Sequence, residues 1–134
     1  MRTMKIELLL FCVINVTAMQ PAAPKASELF DAAQRGDCDA MRKYKAAGGD
    51  INATECGHSA LIKTVLQGHD NAAQLLLQLG ANPDIQDQDG ETILFYERCT
   101  RHVFRAALLA KANPNIQNKS GKTALVNLIN YIVH

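Results

Sequence analysis

A five-residue landmark recurs along this chain at nearly constant spacing. Gly57-His58-Ser59-Ala60-Leu61 returns as Gly90-Glu91-Thr92-Ile93-Leu94 and as Gly121-Lys122-Thr123-Ala124-Leu125, at separations of 33 and 31 residues. A second landmark keeps the same phase: Ala81-Asn82-Pro83-Asp84-Ile85-Gln86 is followed 31 residues later by Ala112-Asn113-Pro114-Asn115-Ile116-Gln117. A divergent earlier copy reads Gly48-Gly49-Asp50-Ile51-Asn52. With a period in this range, each copy is one small unit that cannot bury its apolar surface alone, so the copies must stack in line.

Local chemistry defines the unit. Ser59, Thr92 and Thr123 each precede an apolar run, where a helix N-cap is wanted. Pro83 and Pro114 forbid helix just before them and impose an extended exit. Gly57, Gly90 and Gly121 mark the tight turns between units. Between Asp70 and Leu79, apolar residues cover most of the helical circumference, so that helix must be buried on more than one side. The chain holds no Trp, three Tyr and four Phe, so the core is expected to be aliphatic, which suits small helices packed closely.

These residues resemble the ankyrin repeat, a unit of one β-turn and two helices with a period of about 33 residues. The likeness runs from Ser27 to His134 and includes Gly68-His69, Leu76-Leu77 and Gly80-Ala81. It implies an all-α solenoid of helix-turn-helix repeats joined by short β-hairpin-like loops. The expected units are 27–52, with Leu29, Ala32 and Ala33 facing inward, then 53–85, 86–116 and a partial 117–134. His69 is expected to order the turn between two helices by a local hydrogen bond.

The chain departs from the family pattern in four places. Thr-Pro-Leu-His has lost its Pro and His in all three copies, while the cap and the Leu survive. The third unit lacks two residues near Thr100-Arg101 and carries Glu97 and Arg98 where small residues normally pack. A shortened or rotated first helix that keeps both charges at the edge is therefore expected. Lys111 replaces the Gly that closes the second helix, which should make the third unit the softest. Lastly, the helix expected from Thr123 to about Val133 carries more apolar residues than one face requires. Three readings stand for this surplus: an incomplete stack, a naked cap, or self-association through the 123–133 helix.

The N-terminus reads as an export signal. Arg2 and Lys5 precede the apolar run Leu8-Leu9-Leu10-Phe11-Cys12-Val13-Ile14, and Val16-Thr17-Ala18 supplies small residues for cleavage. Residues 1–18 are thus expected to be a signal peptide and 19–26, with Pro21 and Pro24, a linker. The run is far shorter than the ~20 residues needed to span a bilayer, so no stable membrane insertion is expected after cleavage. The expected location is exported, either periplasmic or secreted. Cleavage would leave twelve basic and twelve acidic residues, a neutral balance that argues against a nucleic-acid partner. Three cysteines would remain, Cys38, Cys56 and Cys99. An odd number fits small apolar thiols better than a disulfide framework, with a single Cys56–Cys99 bridge as the alternative.

Few residues suggest catalysis. Neither a Gly-x-Ser-x-Gly elbow nor a phosphate-cradling loop is present. Cys56 with His58 and Cys99 with His102 could form a zinc site only if the two pairs met, and stacking in register should hold them apart. Asp84, Asp87, Asp89 and Glu91 lack calcium-loop spacing and are expected to be a solvated hairpin tip. No cofactor and no metal are expected. The family resemblance implies a non-catalytic protein-binding module acting through its hairpin tips and concave helix face. The residues in those positions are Glu55, Cys56, His58, Leu66, Gln67, Gln88, Asp89, Glu91, Lys119, Ser120 and Lys122. An exported inhibitor or stabiliser of one enzyme is the alternative, and a metal-dependent hydrolase a distant one.

Overall fold

A computed structural model of the protein describes residues 23–126 together with Ile129 and Val133. The expected signal peptide and the first part of the linker lie outside the described residues. From Pro24 onward the chain runs α1 (Ala26–Arg35), α2 (Cys38–Ala46), β1 (Thr54–Glu55), β2 (His58–Ser59), α3 (Ala60–Leu66) and α4 (Asp70–Gln78). A 3₁₀ turn at Ile93–Phe95 and α5 (Arg101–Leu109) follow. The expected all-α stack is what forms. Antiparallel pairs α1/α2 and α3/α4 are joined in order, α1 packs on α3, α2 on α4, and α4 on α5. The 3₁₀ turn takes the place of a first helix, touching both α3 and α5.

The core is aliphatic. Leu29, Ala32, Ala33, Met41, Leu61, Ile62, Leu76, Val103 and Ala107 are all but sealed from solvent. Helix starts follow the capping chemistry at three places. Ser59 Oγ accepts from Ile62 N at 3.2 Å, Asp37 Oδ1 from Ala40 N at 3.0 Å and Thr100 Oγ1 from Val103 N at 3.4 Å. Two expected caps are corrected. Thr92 makes no cap bond, because Phe95 N turns back to the Thr92 carbonyl in the tighter 3₁₀ geometry and leaves Oγ1 buried without a partner. Thr123 pairs as a β-bridge with Gln117, and helix begins at Leu125 instead.

A continuous side-chain-to-backbone chain ties the units together. Asp50 Oδ1 accepts from Asn52 N, whose own Oδ1 accepts from Asn82 N one unit later at 2.7 Å. Asn82 Oδ1 accepts from Asp84 N, Asp84 Oδ1 from Asn113 N in the next unit at 2.7 Å, and Asn113 Oδ1 from Asn115 N. Other side chains also cross between units. His69 Nε2 lies 3.0 Å from the Gln34 carbonyl, so its bond reaches back to the end of α1 rather than staying within its own turn. Arg98 Nη1 donates to the Leu66 carbonyl at 2.9 Å, capping the end of α3 from the neighbouring unit.

The third unit is reorganised around its two missing residues. With a single 3₁₀ turn, Glu97 and Arg98 both stay exposed, as expected. The backbone turns outward at Tyr96, whose hydroxyl donates to Asp87 Oδ2. Asp87 Oδ1 accepts from Asp89 N and Glu91 N at 2.8 and 2.9 Å. Burial would raise the Asp87 carboxyl, but donation from Tyr96 and from these backbone amides outweighs it and holds the group below the usual carboxylate range. Burial and then the bond to Asp87 push the Tyr96 phenol well above the usual tyrosine range, so it remains a donor. Lys111 adopts φ 66, the left-handed conformation that Gly80 supplies with φ 93 at the end of the preceding unit.

Three outcomes follow from these contacts. Lys111→Gly relieves the left-handed strain and raises unfolding free energy in urea by up to about 1 kcal/mol. Thr92→Val removes an unpartnered hydroxyl at nearly constant volume and should stabilise by about 1 kcal/mol in the same assay. Asp87 releases its proton more readily folded than unfolded, so its contribution is complete above about pH 4 and is lost as pH falls through its folded value. Asp87→Asn should therefore flatten the pH dependence of stability between about pH 4 and pH 2, read by urea unfolding at stepped pH.

Candidate interaction surface

The hairpin tips stand in a row and hold one another in place. In the first, Thr54 pairs with Ser59 and Glu55 with His58, leaving Cys56 and Gly57 as a two-residue turn with φ 52 and 79. Positive φ at both central residues matches the twist of a tight hairpin. The second and third tips share another design. Asp87 N donates to the Glu91 carbonyl and Asn118 N to the Lys122 carbonyl. Asn118 Oδ1 accepts from Ser120 N and Lys122 N, as Asp87 Oδ1 does in the second tip.

Adjacent tips are cross-linked. Gln88 Nε2 donates to the Cys56 carbonyl at 3.4 Å, Lys119 N to the Asp89 carbonyl at 2.9 Å, and Asn118 Nδ2 to Glu91 Oε1 at 3.2 Å. Gln86 Nε2 reaches both the Gly90 and Gln117 carbonyls. A Cβ on Gly90 would stand 2.9 Å from Lys119 N, so the second and third tips approach this closely only because that position is glycine. The row therefore presents a surface that is already ordered before any partner arrives.

The named residues fall into three groups. Glu55, Cys56, Gln67, Gln88, Asp89, Lys119, Ser120 and Lys122 are exposed. His58, Leu66 and Glu91 are half-buried, and Glu91 has one carboxylate oxygen engaged by Asn118. The Leu66 carbonyl is covered by Arg98, so that part of the face presents a guanidinium. Of the acidic cluster expected to be merely solvated, Asp84 and Asp87 instead act as backbone acceptors inside the stack, because each sits where an unpaired N–H must be met. Asp89 and Glu91 supply the negative charge of the second tip, and Lys119 and Lys122 the positive charge of the third.

Two further residues belong to this face. Lys63 Nζ lies 3.5 Å from Glu55 Oε2 and 5.4 Å from the Phe30 ring centroid, joining α1, α3 and the first tip. Arg98 is the other. Neither was singled out from the sequence for binding, since an isolated basic residue in a helix carries no mark of a cross-unit contact.

Cys38, Cys56 and Cys99 are free thiols, which removes the Cys56–Cys99 bridge. They also differ from one another. Cys56 is exposed at a tip, against the expectation of burial, because the turn residue points away from both strands. Cys99 is wholly buried, and burial pushes its thiol up to about 12. Among the described residues, no three His, Cys, Asp or Glu side chains converge as a metal-binding group. No described helix is long and apolar enough to cross a membrane.

Comparison with known proteins places this architecture. The family model for ankyrin repeats (3 copies) matches residues 29–97, just over half of the chain. An ankyrin repeat-containing protein of Schizosaccharomyces pombe is 37% identical over 65 residues, which cover 48% of this chain. The match spans only 31% of that protein's own length. Stacked helix pairs, in-phase landmarks and the family match agree: the chain belongs to the ankyrin repeat family.

Proposed function

We propose that this chain is a non-catalytic module that grips one folded protein along its row of hairpin tips and the adjoining concave helix face. Ankyrin repeats are generally protein-interaction modules, which supports the class of function. The observation that carries the finer reading is the cross-linked row of tips, with exposed charges of opposite sign at its two ends. Glu55, Asp89 and Glu91 lie toward one side, and Lys119 and Lys122 toward the other. A surface held rigid by Gln88, Asn118 and the Lys119 amide loses little conformational entropy on binding. Its partner should carry basic groups opposite the first two tips and acidic groups opposite the third.

The basic, apolar and small-residue order of residues 1–18 supports action after export, in a periplasmic or secreted setting. There the module would serve as an inhibitor or stabiliser of one partner enzyme. N-terminal sequencing of the protein from its native source checks the export step, and a first residue of Met1 overturns it.

The tip mapping is tested by affinity capture from that source, followed by titration of the captured partner. Asp89→Lys and Lys119→Glu should each weaken binding about tenfold at low salt, with a smaller loss at high salt and an unchanged melting temperature. Unaltered affinity in both variants overturns the assignment of the tips.

A further inference from the structure

The internal units show what normally covers each repeat position, and one end of the stack lacks that cover. Leu61, Ile62 and Val65 on α3 are no more than 1% exposed. Counting forward through the landmark, Leu125, Val126 and Ile129 occupy the same positions, yet they are 52%, 63% and 51% exposed. Val133, one turn further along the same stripe, is 68% exposed. On the second helices the pattern repeats. Leu77 is buried where α4 meets α5, while Leu108, 31 residues later, is 40% exposed.

We infer that this face is a self-association surface, joining two copies of the chain about a two-fold axis through the stripe Leu125, Val126, Ile129 and Val133. Three observations favour a second copy as occupant. The same repeat positions already form a helix-packing interface inside each molecule, so the face has the shape and chemistry to receive a helix. No charged residue occurs from Thr123 to Val133, so two such faces meet without like-charge repulsion. The opposite end of the stack cannot serve as the mate, because the groove between α1 and α2 is lined by Glu28, Asp31, Arg35 and Lys43. Head-to-tail stacking would bury those charges against aliphatic side chains, whereas a two-fold contact pairs like with like and closes. This contact uses none of the tip residues, so it stands apart from the partner-binding reading.

The exposed stripe is smaller than the ~800 Å² per partner of a standard interface, so dimerisation should be concentration-dependent between about 1 µM and 1 mM. Sedimentation equilibrium on the folded protein over that range should show the weight-average mass rising from monomer toward dimer and stopping there. Ile129→Glu and, independently, Val126→Glu should hold the mass at monomer while circular dichroism and melting stay unchanged. If one variant fails to fold, the other decides. Glu28→Lys, at the opposite end, should dimerise as the parent does. A parent that stays monomeric throughout, a folded Ile129→Glu or Val126→Glu that still dimerises, a dimer abolished by Glu28→Lys, or growth beyond dimer would each overturn the proposal.

Discussion

Everything in this fold depends on one short-range bargain between units: each offers a carboxylate or carboxamide oxygen to a backbone N–H of the next. Asn52 reaches Asn82 N and Asp84 reaches Asn113 N, both at 2.7 Å. These amides lie in an extended exit beside a proline, where no helical or strand partner exists, and an unmet N–H in a packed junction is expensive. Hydrophobic stacking alone would allow the units to slide. The directional bonds set the register that lets Leu61, Leu76 and Leu94 meet their neighbours, and the same register aligns the hairpin tips.

The third unit shows how much irregularity this arrangement tolerates. Losing two residues reduces a first helix to a 3₁₀ turn, strands the Thr92 hydroxyl and exposes Glu97 and Arg98. Yet Tyr96 ties the displaced segment to Asp87, Arg98 caps α3, and Thr100 starts α5 on time. The unit keeps its junctions by exchanging helical hydrogen bonds for side-chain ones. It also puts a guanidinium beside the concave face, where the regular pattern would leave a small residue.

Much of the fold could be read from residue order because it rests on local signals. Landmark glycines and prolines mark unit boundaries, Ser59 caps α3 as its position suggests, and the mismatch at Glu97 and Arg98 led to the expectation of a shortened helix. What stayed hidden are the contacts between residues about thirty apart. Asn52, Asp84, Gln86 and His69 look like ordinary loop polars, and nothing in their neighbourhoods reveals that each reaches another unit. The candidate surface was legible to the same degree. Exposure at a tip follows from its place in the repeat, while the engagement of Glu91 by Asn118 and of Lys63 by Glu55 and Phe30 needs three-dimensional register.

Because each rung of the Asn and Asp chain touches only its immediate neighbours, the molecule is mechanically a zipper rather than a block. Tension applied along the stacking axis loads the rungs in series, so the weakest junction gives way while the others remain shut. The unit whose first helix is a single 3₁₀ turn is that junction. Pulled from its two ends, the solenoid would yield there and keep the α1–α4 half intact, a modular elasticity that no single hydrophobic core of this size could provide.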